Sequence, residues 1–325
     1  MKRAALIYNP SSGTRREQRV ADVEAAAAAL REAGIAAETI PTHGPGTAAE
    51  QAREAVAAGC DAILACGGDG TLHEAMQGVL ASANEAALGV IPLGTGNALA
   101  NDLGIPLRQA ARAARALAHG TTRRVAVARI EYERADGSTD SRYFTVMAGV
   151  GPDALLLYSM NLTAKGTMGM GAYYWQAAKL LTYDYPEFEV EYTDSESGAH
   201  TVQRTAALMA VRISYFGGAL RHLAPGASLE RDDIRVILFR RPIHGRIFLY
   251  LLGTLLGRHW NVPGVDLVYA REILCRPLTT SGDAPRKSRT ARLYAEADGE
   301  LLGRLPARFT IEPGRLTLLV PRSNP

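Results

Sequence analysis

The chain is short of cysteine, of aromatic residues and of net charge, and it has no long hydrophobic run. Three cysteines in 325 residues, Cys60, Cys66 and Cys275, exclude a disulfide framework and a four-thiolate zinc site. They read as small buried hydrophobes of a reducing compartment. Aromatics at 6% exclude a base-stacking platform for single-stranded nucleic acid. A net charge of +3, from 36 basic and 33 acidic side chains, is too even for a general polyanion binder, so no nucleic-acid partner is expected. The most apolar late stretch, Ile247 to Leu256, is about half of the ~20 residues that a membrane span needs. The opening apolar run, Ala4 to Tyr8, is ended by Asn9-Pro10 before it reaches signal-peptide length. The expectation is a soluble, cytoplasmic protein, at most peripheral to a membrane.

What is present is globular: hydrophobic residues make up 47% and there are 32 glycines. The length suits two domains at ~150 residues each. Over the first 120 residues or so, short apolar runs alternate with Ala-rich helical text: Ala4–Tyr8, then Arg19–Ala33 closed by Gly34, then Ala36–Ile40, then Thr47–Ala58 with Thr47 and Glu50 placed as a capping box. Asp61–Cys66 and Leu88–Ile91 continue the strands; Leu72–Leu80, Ala98–Leu103 and Arg108–Ala118 continue the helices. This βαβα rhythm predicts a parallel sheet with helices on its faces. After Arg124 the text becomes mostly antiparallel β, with strands at Val125–Glu133, Tyr143–Ala148, Glu187–Thr193, Ala206–Ser214, Ile234–Arg240, Glu272–Arg276, Arg292–Ala295 and Leu316–Val320. Helical stretches near Gly171–Leu181 and Ile243–Leu256 interrupt it.

Three loops carry chemistry. Gly67-Gly68-Asp69-Gly70-Thr71 sits between a strand and a helix, where glycines permit close backbone approach and helix amides face an anion. Pro92-Leu93-Gly94-Thr95-Gly96-Asn97 repeats that logic, and Asn9-Pro10-Ser11-Ser12-Gly13 follows the first strand. Each alone also suits an ordinary connector. Together, at consecutive carboxyl ends of parallel strands, they point to a polyphosphate or nucleotide. Neither a P-loop nor a G-x-G-x-x-G fingerprint is present, which lowers the case for a P-loop ATPase or a dehydrogenase.

These segments, with Asp298-Gly299-Glu300 near the end, resemble the diacylglycerol kinase catalytic-domain family, which includes bacterial lipid kinases and sphingosine kinases and is distantly related to NAD kinases. The resemblance covers nearly the whole chain. It implies an NAD-kinase-like α/β N-terminal domain with a parallel sheet, residues 1–124 plus about 305–325, and an antiparallel β-sandwich-like domain over 125–304 that takes the lipid, with the active site in the cleft between them. It implies an ATP- and Mg2+-dependent lipid kinase acting on diacylglycerol or a sphingoid acceptor. Asn9, Ser11, Ser12, Gly13, Gly67, Gly68, Gly70, Thr71, Glu74, Gly94, Thr95, Gly96 and Asn97 would hold the nucleotide. Asp69 would organise magnesium or the nucleophile, Asp298 would be the general base, and Glu300 would stand near nucleotide or metal. Asp298-Gly299 is also an ordinary hairpin-turn pair.

Departures from the family pattern are informative. Thr14 stands where a Lys is common, and Arg19 on the following helix is the substitute candidate for the γ-phosphate; the alternative is a solvated helix face. Acids of a structural magnesium network become Ala98, the strand Val125-Ala126-Val127, and Arg231 after Glu230, so the network is expected to be absent unless Asp232 or Asp233 rescues it by a slip of register. The text Leu72-His73-Glu74 and Gly96-Asn97-Ala98-Leu99-Ala100 leans toward sphingosine kinases, with His73 more a packing residue than an acid/base. Asp153 is the candidate for the acceptor head group, with helix capping as its alternative. Gly166–Tyr174 suits an acyl channel or a core, and Ile247–Leu252, flanked by Arg240, Arg241, Arg246 and Arg258, suits an anionic membrane surface or a buried helix. The partners are thus a lipid substrate and the inner face of the membrane; oligomeric state is open, with a homodimer allowed. The competing functions are an NAD-kinase-like enzyme for a soluble acceptor and a non-catalytic nucleotide- or lipid-binding protein. The apolar stretches weigh against the first, and the presence of Asp69, Asp298 and Glu300 together against the second.

Overall fold

A computed structural model describes residues 1–10, 16–44, 46–151, 186–217, 223–241, 243–257, 261–278 and 293–322. The chain divides into two units: Met1–Val127 with Tyr215–Gly217 and Pro313–Pro325, and Ala128–Ser214 with Gly218–Glu312.

In the first unit, apolar runs without alternation make the strands. β1 (Arg3–Tyr8), β3 (Ala62–Gly67) and β4 (Ala87–Pro92) are buried along almost their whole length, as strands covered on both faces must be; β2 (Ala36–Pro41) is more exposed. β1 pairs in parallel with β2 and β3, and β3 with β4. The register sets Tyr8 beside Cys66, Cys66 beside Ile91 and Gly67 beside Pro92. The segments that leave these strands therefore start side by side along one carboxyl edge.

Helices α1 (Arg16–Glu32), α2 (Thr47–Ala57), α3 (Asp69–Ala81), α4 (Ala98–Asp102) and α5 (Ala110–Ala118) complete this unit. Alanine gives α1 high propensity, and its inward stripe is Val23, Ala26, Ala27 and Leu30, all at most 1% exposed. Arg19 lies four residues before Val23 on that stripe and is only 4% exposed, so the solvated-face alternative for it fails. The capping box at Thr47 is not formed. Gly46 is the N-cap, the Thr47 hydroxyl donates to the Gly44 carbonyl at 2.8 Å, and Glu50 pairs with Arg53. A left-handed Gly46 turns the chain so that Thr47 already lies inside the helix.

The second unit is antiparallel. Its described elements are the end of β5 (Thr121–Glu133), β6 (Thr139–Phe144), β7 (Met147–Val150), β8 (Phe188–Asp194), β9 (His200–Thr205), β10 (Ala207–Val211), β11 (Ile234–Phe239), α6 (Ile243–Leu255), β12 (Val265–Pro277), β13 (Tyr294–Ala297) and the first part of β14 (Glu300–Val320). Pairings run β14–β13–β7–β10–β11–β12 and return from β12 to β14, closing a ring of six strands without a free edge. β8 adds to β12, and β9 to β8. The ring is filled by Phe144, Phe188, Phe309, Val236, Leu238 and their neighbours; Phe144 meets Phe309 edge to face at 6.3 Å. The last part of β14 joins the first unit, in parallel with β4, Leu318 opposite Leu88.

Two expectations change here. The strand read as Tyr143–Ala148 is broken at Thr145-Val146, because the amides of 145–147 turn away from the ladder toward a carboxylate described below. β6 and β9 carry too many charged and hydroxyl residues to stand out as apolar runs and were not expected as complete strands. The helical stretch near Gly171–Leu181 and the segment Gly166–Tyr174 lie outside the described residues.

Candidate functional site

In the first unit the loops after β3 and β4 touch backbone to backbone. Leu93 and Gly94 both donate their amides to the Gly67 carbonyl, at 2.9 and 3.0 Å. A Cβ at Gly94 would lie 2.4 Å from the Gly68 Cα, closer than any side chain is tolerated. Gly94 is thus required by contact between the loops themselves, and the glycines leave bare backbone in the pair.

Side chains then lock the second loop. Asn97 adopts φ 52° and is 3% exposed. Its Oδ1 accepts from Gly94 N–H at 3.2 Å and its Nδ2 donates to the Gly94 carbonyl at 2.8 Å. Asn101 donates to the carbonyls of Gly96 and Asn97 at 3.0 and 2.9 Å. Asp69, the first residue of α3, accepts from Ala98 N–H at 2.8 Å, binding the first loop to the second. Arg19 donates from Nη1 to the Leu93 carbonyl at 3.0 Å. Burial lowers its pKa, with Asp22 and Cys66 acting in the opposite direction. A buried guanidinium therefore lies against the floor of the loop pair. Gly68, the N-cap of α3, gives no side-chain cap, so the first amides of a 13-residue helix keep their anion-facing character.

The remaining first-unit candidates are placed as follows. Asn9 follows directly on β1, next to the Gly67 strand end by register. Thr95 and Gly70 are exposed and Thr71 is half-buried. Glu74 reaches toward the Ala48 amide at the start of α2, 3.4 Å away. His73 is 2% exposed, with Gln77 Nε2 3.3 Å from its ring nitrogen, as suits a packed helix residue. Ser11, Ser12 and Gly13 lie outside the described residues, as does Asp153. All three cysteines are buried and free.

In the second unit, Asp298-Gly299 links β13 to β14 as a two-residue hairpin loop with φ 45° and 85°, the left-handed pair of a type I′ turn. The turn reading of this pair is correct, and the carboxylate has work as well. Its Oδ1 accepts from the amides of Val146 and Met147, both at 3.0 Å, and its Oδ2 from Thr145 at 3.1 Å. Glu300 accepts from Arg142 Nη2 at 2.6 Å. Arg142 was not singled out in the sequence, because its partner is 158 positions away. Asn101 was missed for the opposite reason: its bonds are to backbone atoms within five residues, which no motif advertises.

Exposed loop backbone and the uncapped start of α3 are donors of the kind that suit an anion. For a metal ion the donors are sparser. Among the described residues no group of three or more His, Cys, Asp and Glu gathers as a metal site. Asp69 already serves Ala98, and Glu300 serves Arg142. Asp233, which a slip of register would bring to a metal, is engaged at both oxygens by Arg231, at 2.7 and 2.9 Å. No helix among the described residues is long and apolar enough to cross a membrane.

Comparison with known proteins agrees on one family. A family model described as diacylglycerol kinase catalytic domain matches residues 3–130, and one described as YegS C-terminal NAD kinase beta sandwich-like domain matches residues 145–320. A diacylglycerol kinase of Bacillus subtilis (strain 168) is 28% identical over 325 residues, 100% of this chain and 98% of the relative. One from Staphylococcus aureus (strain bovine RF122 / ET3-1) is 28% identical over 308 residues, 95% of this chain and 89% of the relative. A crystal structure of a diacylglycerol kinase from Bacillus anthracis str. Sterne shares the fold at a TM-score of 0.68 and 18% identity, covering 99% of this chain and 97% of that one.

Proposed function

Because the chain belongs to the diacylglycerol kinase family, carrying its catalytic domain and the YegS-type C-terminal domain, we propose that it is a lipid kinase that transfers the γ-phosphate of ATP to a lipid hydroxyl at the inner face of the membrane. The observation that carries this reading is the contact of the Gly68 and Gly94 loops at the carboxyl edge of β3 and β4, with Arg19 buried beneath. Phosphoryl transfer asks the protein mainly for positioning and charge neutralisation, which backbone amides and a fixed guanidinium provide.

In this reading the NAD-kinase-like first unit holds ATP. Asn9, Ser11, Ser12, Gly13, Gly67, Gly68, Gly70, Thr71, Thr95, Gly96 and Asn97 line or shape the phosphate loops, and Arg19 holds the Leu93–Gly94 turn in place. Mg2+ bound with ATP would supply charge neutralisation at the phosphates, and Asp69 is the carboxylate of these loops that would hold it. Asp298 takes the proton of the acceptor hydroxyl while the freed oxygen forms the new bond to the γ-phosphorus and the bond to ADP breaks. Three backbone amides fix the orientation of that carboxylate. Arg142 holds Glu300 beside the turn. Asp153 meets the acceptor head group.

A diacylglycerol is the first acceptor to test, and a sphingoid base the second, favoured by Ala98 at the start of α4. ADP release should be measured with diacylglycerol, sphingosine, ceramide and NAD in parallel. Turnover with NAD alone would overturn the lipid reading; intact ATP binding without turnover on any of them would make the protein a binding module. Gly94→Ala supplies a loop-specific check. Its Cβ meets Gly68 backbone rather than a movable side chain, so ATP affinity should fall about tenfold or more and stability by roughly 1–3 kcal/mol. Calorimetric ATP titration and thermal unfolding read both, and an unchanged ATP Kd would remove the loop pair from the nucleotide site.

A further inference from the structure

Among the described residues of the second unit, one helix carries exposed apolar side chains along one face. α6 turns Tyr250 and Thr254 inward, 4% and 3% exposed. Tyr250 donates to the Leu223 carbonyl at 2.7 Å and meets Phe239 edge to face at 5.6 Å. On the other side Phe248, Leu249, Leu255 and Leu256 are 58%, 42%, 54% and 58% exposed. These are four of the eight large hydrophobic side chains exposed among the described residues, gathered within nine positions. Singly scattered apolar side chains need no explanation, whereas a cluster along one helix does.

Charge decides what covers it. Residues 240–265 contain Arg240, Arg241, Arg246 and Arg258 and no Asp or Glu. Arg240 and Arg241 are exposed at the start of α6. Arg246 donates to both of their carbonyls, which keeps its charge at the same end. Arg240 pairs with Asp266 at 3.1 Å, the first acid after the stretch. Leucine and phenylalanine on one face with arginine at its border is the pattern of a helix that lies in the interface of an anionic bilayer. A second copy on this face would bring like charges together.

We propose that α6 is the element by which this protein docks on a bilayer rich in anionic phospholipid, lying flat with Phe248, Leu249, Leu255 and Leu256 among the acyl chains and the arginines at the headgroups. The proposal rests on the lipid-kinase reading only for its purpose, since such a substrate is membrane-bound. The test is co-sedimentation of the full chain with vesicles of mixed phosphatidylcholine and phosphatidylglycerol, against phosphatidylcholine alone. The wild type should bind the mixed vesicles and release them as salt rises. The triple variant Phe248→Ser, Leu249→Ser, Leu256→Ser should bind at least about tenfold more weakly, with unchanged thermal unfolding because those side chains are exposed. Arg241→Glu should weaken binding and flatten the salt dependence. In kinase assays the triple variant should lose activity on diacylglycerol in vesicles and keep it on short-chain diacylglycerol dispersed in detergent. Equal vesicle binding by triple variant and wild type overturns the proposal. So does a wild-type dimer that the triple variant converts to monomer. Vesicle binding that follows α6 without phosphorylation of any lipid supports docking and refutes the kinase reading, so the two fail separately.

Discussion

Asp298→Asn is expected to lower turnover by about 10²–10⁴-fold while ATP affinity stays within a few-fold of wild type. Under the proposed mechanism the lost function is proton acceptance, and the substitution is the smallest that removes it. Asn tolerates the left-handed φ of 45°, so the hairpin turn survives. Its carbonyl oxygen can still accept from Val146 and Met147. Its amide nitrogen, however, would face the Thr145 N–H, donor against donor, at a cost of about 1–3 kcal/mol. Activity and stability must therefore be read apart: kcat and KM for the lipid, a calorimetric Kd for ATP, and a thermal unfolding curve. A kcat equal to wild type in a folded, ATP-binding variant would remove Asp298 from the chemistry and leave it as a clamp on the 145–147 backbone.

The second large effect belongs to stability. Arg212, just past β10, is 1% exposed. Its guanidinium donates to the carbonyls of Asp233, Leu229 and Arg231, the last two at 3.3 and 3.0 Å. Burial brings its pKa down to about 10, with Asp233 and Asp232 pulling the other way. One fork thus organises the whole turn that leads into β11. Beside it, Arg231 chelates Asp233, and both Arg231 and Arg235 stand over the Tyr269 ring, at 3.7 and 4.2 Å. Arg212→Met should cost about 3–5 kcal/mol, since two buried carbonyls and a partly buried one lose their donor, offset in part by no longer burying a charge. The midpoint of thermal unfolding should fall by on the order of 10 °C. Arg212→Lys should lie between the two, because a single ammonium cannot reproduce the planar fork. A Met variant that melts with the wild type would show that the turn holds without its guanidinium.

The legible parts of the site are the ones that chemistry concentrates in a few adjacent residues. Gly67–Thr71 and Gly94–Asn97 stand out because glycines cluster just after strands; close backbone contact accounts for Gly94, and Asn97 is the non-glycine residue that takes a left-handed conformation there. Arg19 was legible in part: its spacing from Val23 and Ala27 marks the inward stripe of α1, yet an arginine there reads by default as solvated. Arg142 and Arg212 were not legible at all. Their partners are 158 and 17 to 21 positions away, and for Arg212 they are backbone carbonyls, which have no sequence signature. The break at Thr145-Val146 was hidden for the same reason: the carboxylate that bends the strand comes from residue 298.

By itself, then, the sequence determined which short segments form glycine-rich turns after strands and which runs must be buried, because glycine conformation, helix propensity and apolar patterning are local properties. It also set, through its few cysteines and even charge, which chemistries were excluded. Tertiary structure alone decided that the glycine loops meet each other, that Asp298 accepts from three amides, that Glu300 faces Arg142 and, among the described residues, that α6 keeps apolar side chains exposed on its outer face. Each of these depends on strand register and packing between distant residues, and register is settled only when the whole sheet closes.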